Sequence, residues 1–411
     1  MLRALTTLAG FVVTYLLGRN FGAVGTGQYA LLTQTAHILA IVALLGMDVG
    51  VVRHFSRSVA AGEKVALVSL IKVSAFALAV IGLVALIIGA GGDVLWRLLF
   101  ADTVPRTMLA VLCLFLVARA ASGLFGALLR SQHRFALGQI VAATIIPIAT
   151  AFALAIGFAN SVEQALWVSA AAGSAAAIIG AVAIFGNAGT SVQAVRVDLK
   201  PVLISSMPLW GIGIALSISD WYGLAVAARM LSVGDTGLYR VAMQIAAVLQ
   251  VAAMAIFSVY SAKISAAFHI GDKREVAALA ASAVRWGSLI ALPACMALVL
   301  SGKLILAQVG AEFTPAYPAM IVLLLGQISL AVSGPCGLVL AMSGNERISL
   351  AVTLAGLTFM LLVAPIGVEI GGLTGLTACV SASILARNAA EYWLVRNRLG
   401  IDVWKGSLVT G

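Results

Sequence analysis

Apolar runs of about 20 residues recur from end to end of this chain, each long enough as a helix to cross a ~30 Å hydrocarbon core. Lipid cannot satisfy an open backbone polar group, so segments that span it in this way are helical. Charged residues make up only 10% of the sequence, where a soluble globular domain carries roughly a quarter. With the apolar runs removed, no soluble domain is left. The chain therefore reads as an all-α integral membrane protein with about 12 transmembrane helices. The runs fall near 4–18, 27–46, 66–90, 107–129, 135–158 and 163–185, then near 203–228, 237–260, 280–301, 317–341, 348–369 and 372–394. The first is short: fifteen residues rise about 22 Å, so the natural chain is expected to begin upstream of Met1. A cleaved signal peptide is the rival reading of this end, but no small-x-small cleavage site precedes a soluble domain.

The sequence also repeats itself. Arg19, Thr26, Gly27, Tyr29, Gln34, Ala36, Leu39 and Ala43 return 210 residues later as Arg229, Thr236, Gly237, Tyr239, Gln244, Ala246, Leu249 and Ala253. Ala120, Ser122, Gly123, Gly126 and Leu129 return at an offset of 211 as Ala331, Ser333, Gly334, Gly337 and Leu340. Two echoes in the same order point to two homologous six-helix lobes, residues 1–195 and 196–411. Halves related this way in a membrane chain enclose a substrate path between them. Six spans per lobe is an even number, so the lobes insert with the same orientation. The linker between them runs from Gly186 to Lys200, polar and small up to Gln193, with Pro201 opening the next span.

The net charge of +10 would suggest a nucleic-acid partner in a soluble chain. Here most basic residues sit in short inter-helix loops, as in the cytoplasmic loops of membrane proteins. One side gathers the excess, Arg53, Arg130, Lys263 and Lys273 among it. The other holds Arg19, Arg97, Arg106, Arg229, Arg240 and Lys303. Both termini are therefore expected in the cytoplasm, and no nucleic acid is expected as a partner. Cys113, Cys295, Cys336 and Cys379 all lie inside apolar runs and read as small core residues.

No Gly-rich phosphate loop, paired histidine or other enzymatic constellation stands out, and no metal or cofactor is expected. Charges inside spans are the sharper signal, because each costs roughly 2.5–3.5 kcal/mol at a helix centre. Arg119 sits near the middle of the fourth span and reads either as a group that binds an anion or as a structural pairing between helices. Asp220, beside Ser217, Ser219 and Trp221, reads either as a cation or proton site or as such a pairing. His37 also lies in a span, as a packing residue or a proton relay. Arg19 and Arg229 end the first helix of each half, before the glycine-containing turns expected at Gly25–Gly27 and Gly234–Gly237, where snorkelling to the interface competes with a binding role. Asp48 and Arg53 flank the end of the second span, where a local salt bridge is the simplest reading. Pro208, Gly211 and Gly213 make the seventh span either a bendable gate or an ordinary kinked helix.

Several of these segments resemble one family. Leu17-Gly18-Arg19 through Gly27-Gln28-Tyr29 is similar to the end of the first helix in polysaccharide flippases of the multidrug/oligosaccharidyl-lipid/polysaccharide exporter superfamily. Gly46-Met47-Asp48 with Arg53 resembles the signature after their second helix. Asp220 with Gly234-Asp235-Thr236-Gly237-Leu238-Tyr239 resembles their second-half pattern, and Gly371-Gly372-Leu373-Thr374-Gly375-Leu376, ending in Leu399-Gly400-Ile401, resembles their closing helix and tail. The resemblance covers nearly the whole chain.

It implies two six-helix lobes making a V around a central cavity, without covalent chemistry. It also implies that the substrate is an undecaprenyl-pyrophosphate-linked oligosaccharide, moved between leaflets of the bacterial plasma (inner) membrane by alternating access, for O-antigen or exopolysaccharide synthesis. A polysaccharide polymerase or chain-length regulator would be a further partner beside the lipid bilayer. Such a transporter must shield a pyrophosphate and polar sugars from hydrocarbon. Arg119 is the expected source of cationic field, with Arg19, Arg53 and Arg229 as further substrate-binding candidates, and Asp220 as the ion-coupling residue. A cation- or proton-coupled drug exporter of the same superfamily is the alternative. An integral-membrane glycosyltransferase or polymerase is a second one, and it would want a large outer loop that this chain lacks.

Overall fold

The computed structural model describes residues 2–60, 67–92, 94, 96–97, 105–186 and 199–408. Within them run α1 (Leu2–Leu44), α2 (Met47–Ala60), α3 (Leu67–Ala90), α4 (Met108–Ser131), α5 (Phe135–Ala155), α6 (Val162–Phe185), α7 (Leu199–Met230), α8 (Val233–His269), α9 (Lys273–Val309), α10 (Tyr317–Ser333), α11 (Cys336–Met342) and α12 (Glu346–Leu394). A small antiparallel hairpin, β1 (Ile401–Asp402) and β2 (Ser407–Leu408), follows them. Ten of the helices, taking α10 with the turn before it and α12 with the turn after it, are long and apolar enough to cross a membrane. The protein is an all-helical, multi-pass membrane protein.

Two helices are far longer than a bilayer needs, and glycines break both. In α1 the break is Gly22, at φ 67° and ψ −168°, a conformation that costs glycine little and other residues much. The partners on either side show what the break does. Before it, Thr6 meets Thr144 at 2.8 Å and Asn20 reaches the Leu154 carbonyl of α5, so this segment runs in the direction of α5. After it, Gly25 faces Val162 and Tyr29 bonds Ser169 of α6 at 2.8 Å, so this segment runs in the direction of α6. The turn at residues 156–161 joins α5 and α6, and Tyr29 and Thr150 converge on Ser169 from α1 and α5. α1 therefore doubles back at Gly22.

In α12 the break is Gly371–Gly372, the second at φ 55°. Ser383 bonds the Gly356 carbonyl at 2.8 Å, Cys379 bonds that of Val363 at 3.3 Å, and Gly375 lies against Gly367. Residues progressively farther from the glycine pair on either side thus face one another, and the two segments are antiparallel.

The turns do not fall where the glycine content of the sequence places them. Gly25 and Gly27 are helical, as are Gly234 and Gly237. The first turn is made by Gly22. The second lies at Leu231–Ser232, where Ser232 caps α8 by accepting from the Asp235 N–H at 2.9 Å. Gly22 and Ser232 are 210 residues apart (232 − 22), the offset of the repeat. At both places a buried threonine four residues on bonds back, Thr26 to the Gly22 carbonyl and Thr236 to that of Ser232.

The chain divides into two compact units, Met1–Ser217 and Ile218–Gly411. The division falls inside α7; residues 187–198, which hold the expected 195/196 boundary and most of the expected linker, lie outside those described. The packing of early α7 gives the reason. Val202 and Ser206 close on Gly50, Trp210 packs on Gly46, and the Trp210 indole N–H donates to the Ile41 carbonyl at 2.9 Å. α7 is continuously helical across Pro208, Gly211 and Gly213.

The segment after the second span, which the sequence presents as a charged loop, is helix α2. Met47, Val51 and Phe55 recur every four residues on one face and are fully buried, while Arg53 is exposed. Fourteen residues rise about 21 Å, too short to cross.

Without a hydrophobic driving force between helices in lipid, small residues hold them together by letting backbones approach. The close pair in the first unit is Gly126 of α4 and Gly138 of α5. A methyl on Gly126 would stand 2.7 Å from the Gly138 carbonyl oxygen, and one on Gly138 would stand 2.6 Å from that of Gly126. Gly82 of α3 has no neighbour within 4 Å of such a methyl. Gly126→Val should lower the yield of folded, monodisperse protein several-fold, as overpacking by roughly 1–3 kcal/mol implies. Gly82→Ala should leave it unchanged, and size-exclusion profiles of the two variants check the difference.

Candidate functional site

In the first unit Arg119 gathers several polar groups from neighbouring helices. α4 carries it opposite a π-helical turn of α5, Ile140–Thr144. A π turn widens the ring, takes carbonyls out of the α ladder and recurs at functional sites. The Arg119 guanidinium donates to one of these, the Ala142 carbonyl. Thr144 bonds the Gln139 carbonyl at 3.3 Å, five residues back in the π register. His37, from the second segment of α1, lies in the field of Arg119.

Asp48 opens α2 and lies in the fields of both Arg130 and Arg119. Burial raises its carboxyl above the ordinary carboxylate range, while the Val49 N–H and the Arg130 and Arg119 guanidiniums act the other way. Arg119 and Arg130 are 11 residues apart (130 − 119), close to three helical turns, so they share one face of α4. That register was open to a reader of the sequence; the π turn and the approach of Asp48 were not.

The second unit holds a different cluster. Asp220 lies ten residues before the end of α7 (230 − 220), and its side chain is exposed. Arg240 of α8 and Arg387 of α12 lie within its field. Arg240 lies within α8, inside the apolar run read near 237–260. One turn beyond Asp220, Gly223 leaves room for the Tyr239 hydroxyl. Tyr239 is fully buried and its hydroxyl has no hydrogen-bond partner among the described residues. Its repeat counterpart Tyr29 behaves otherwise: its hydroxyl meets Ser169 at 2.8 Å, and Ser169 meets Thr150 at 2.9 Å.

The remaining candidates stand apart from these clusters. Arg19 is exposed, three residues before Gly22, with its guanidinium on the Tyr15 hydroxyl at 3.0 Å. Arg229 is exposed in the last turn of α7. Arg53 is on the outer face of α2, and the full length of the second α1 segment separates it from Arg19. The cysteines are free; Cys113, Cys336 and Cys379 donate to the carbonyls of Ala85, Ser333 and Val363.

Comparison with known proteins decides the family. The model of polysaccharide biosynthesis proteins matches residues 1–261. The chain belongs to the polysaccharide biosynthesis protein family. Among curated proteins none matches this sequence. Solved structures place this family member in the fold of the multidrug and flippase transporters. An inward-facing multidrug resistance MATE family transporter of the MOP superfamily superposes with a TM-score of 0.74 at 16% identity, covering 97% of this chain and 94% of that one. The lipid II flippase MurJ, in an inward closed conformation, gives 0.73 at 11% identity, covering 96% and 87%. A point mutant of the Vibrio cholerae MATE transporter VcmN gives 0.62 at 18%, covering 97% and 96%. At these identities the likeness is one of fold.

Proposed function

We propose that this protein flips a lipid-linked oligosaccharide from the inner to the outer leaflet of the bacterial plasma membrane, for surface polysaccharide synthesis, by alternating access. The observation that carries the reading is the family match over residues 1–261, joined to a fold that fits a lipid II flippase as well as it fits drug exporters. The fold is neutral between those two; the family is not. The glycine breaks in α1 and α12 support a count of twelve crossings, since each of these two candidate spans is then two segments. With an even number of crossings both termini would lie on one side, and the excess of basic residues in the loops favours the cytoplasm.

Asp220 supports a transport path directly. It is an exposed carboxylate well inside a spanning helix. A charge there is costly in lipid, and such groups characteristically face a bundle interior or a wet cavity, which favours the transport reading. In this reading Arg119 and, more weakly, Arg19, Arg53 and Arg229 supply the cationic field for a pyrophosphate. Asp220, beside the unpartnered Tyr239 hydroxyl, takes the coupling cation or proton. The substrate is undecaprenyl-pyrophosphate-linked, and a polymerase or chain-length regulator receives it. Asp220→Asn should slow flipping of such a lipid in proteoliposomes at least tenfold and flatten its response to an imposed proton or sodium gradient. Flipping at the parental rate across pH 5–8, gradient response intact, rejects the coupling role.

A further inference from the structure

The repeat carries one difference that the transport reading does not use. Ser122-Gly123-Leu124-Phe125-Gly126 of the first unit corresponds to Ser333-Gly334-Pro335-Cys336-Gly337 of the second. α4 passes through its copy without a break. The second copy stops α10 at Ser333 and starts α11 at Cys336. Pro335 explains the stop, since it lacks an N–H and clashes with the carbonyl four residues back. Gly334 takes φ 77°, a conformation open to glycine.

A broken helix leaves backbone groups without intrahelical partners, and the chain's own C-terminal end lies against both sides of this break. On the α10 side, the Trp404 indole N–H donates to the Val332 carbonyl at 2.9 Å. On the α11 side, the Glu391 carboxylate packs on Gly337, where an added methyl would stand 2.7 Å from its Oε2. The Cys336 thiol takes the Ser333 carbonyl at 3.1 Å. Tyr392, next to Glu391, stacks on Trp404 with ring centroids 5.0 Å apart. The hairpin that carries Trp404 is itself docked: Ile401 and Val403 are fully buried against residues of α8, α9 and α11.

We propose that Ser333–Pro335 is a hinge in the second unit and that the C-terminal segment is its clasp. Glu391 holds one side of the break and Trp404 the other, and the Tyr392–Trp404 stack joins the two. Releasing the clasp frees α11 to swing relative to α10. The first unit, unbroken at the matching position, has no such joint.

Hydrogen–deuterium exchange on the full-length protein in detergent tests this without any substrate, so its outcome is independent of the transport reading. Trp404→Phe keeps the ring stack and removes only the donor. It should raise exchange in peptides covering 333–342 about fivefold, the change in opening population expected for one net hydrogen bond. Glu391→Ala, which removes the carboxylate packed on Gly337, should raise it tenfold or more, and Glu391→Gln less than that. Peptides from the first part of α10 (317–329) and from α4 should exchange as in the parent. Unchanged exchange over 333–342 in both Trp404→Phe and Glu391→Ala overturns the proposal. So does a rise spread evenly through the second unit, since that would mark general loosening rather than a joint.

Discussion

Arg119→Ala should abolish polymer export while leaving folded protein in the membrane. The guanidinium is set between the Ala142 carbonyl of a π turn and the field of Asp48, so its position is fixed before any substrate arrives. Only one of its donors is seen bonded to a neighbouring carbonyl, and a guanidinium has five. A pyrophosphate crossing the low-dielectric interior needs a cation already in place, and truncating one partner of a desolvated charge pair costs about 2–5 kcal/mol. Export should therefore fall roughly a hundredfold or more. Arg119→Lys, which keeps the charge but not the planar fork, should retain part of it. Export assayed beside the size-exclusion profile of the purified variant separates the two roles. Parental export, or loss of folded protein with Lys as well as Ala, leaves Arg119 as a structural pairing between α4 and α5.

Gly375→Val should prevent the second unit from folding. Gly375 and Gly367 touch backbone to backbone where α12 doubles back, and a side chain at Gly375 would land on the Gly367 carbonyl. Neither backbone can give way without separating the two segments and losing the bonds from Cys379 to Val363 and from Ser383 to Gly356. The cost should exceed the roughly 1–3 kcal/mol usual for overpacking, because a flexible side-chain end is not what it meets. Folded monomer should fall to a few per cent of the parental yield. Gly371→Ala is the control: it lies in the turn between the same two segments, at φ −138° with nothing within 4 Å of an added methyl. Its yield should match the parent.

These two residues also show what the sequence could and could not tell. The spans were legible because hydrocarbon thickness fixes a length and lipid forbids open backbone groups. The second echo was legible as close packing, and at Gly126 that is what it does. The turns were misplaced because glycine serves two purposes that look alike in a sequence. Gly22 and Gly372 take positive φ, whereas Gly25 is helical and small because Phe21 and Val162 crowd it. Asp48, Arg119 and Arg130 come together through the packing of α2 on α4, which no local spacing encodes. Pro335, standing where the first half has Leu124, was visible all along, but the groups that hold its break come from 50 or more residues away (391 − 337 = 54).

The most direct test of the flippase reading is the leaflet distribution of lipid-linked repeat units after deletion of the gene. The account predicts loss of surface polymer with undecaprenyl-linked oligosaccharide accumulating on the cytoplasmic leaflet, restored by the parental protein. Normal surface polymer together with raised sensitivity to cationic drugs would contradict it and assign the chain to drug export.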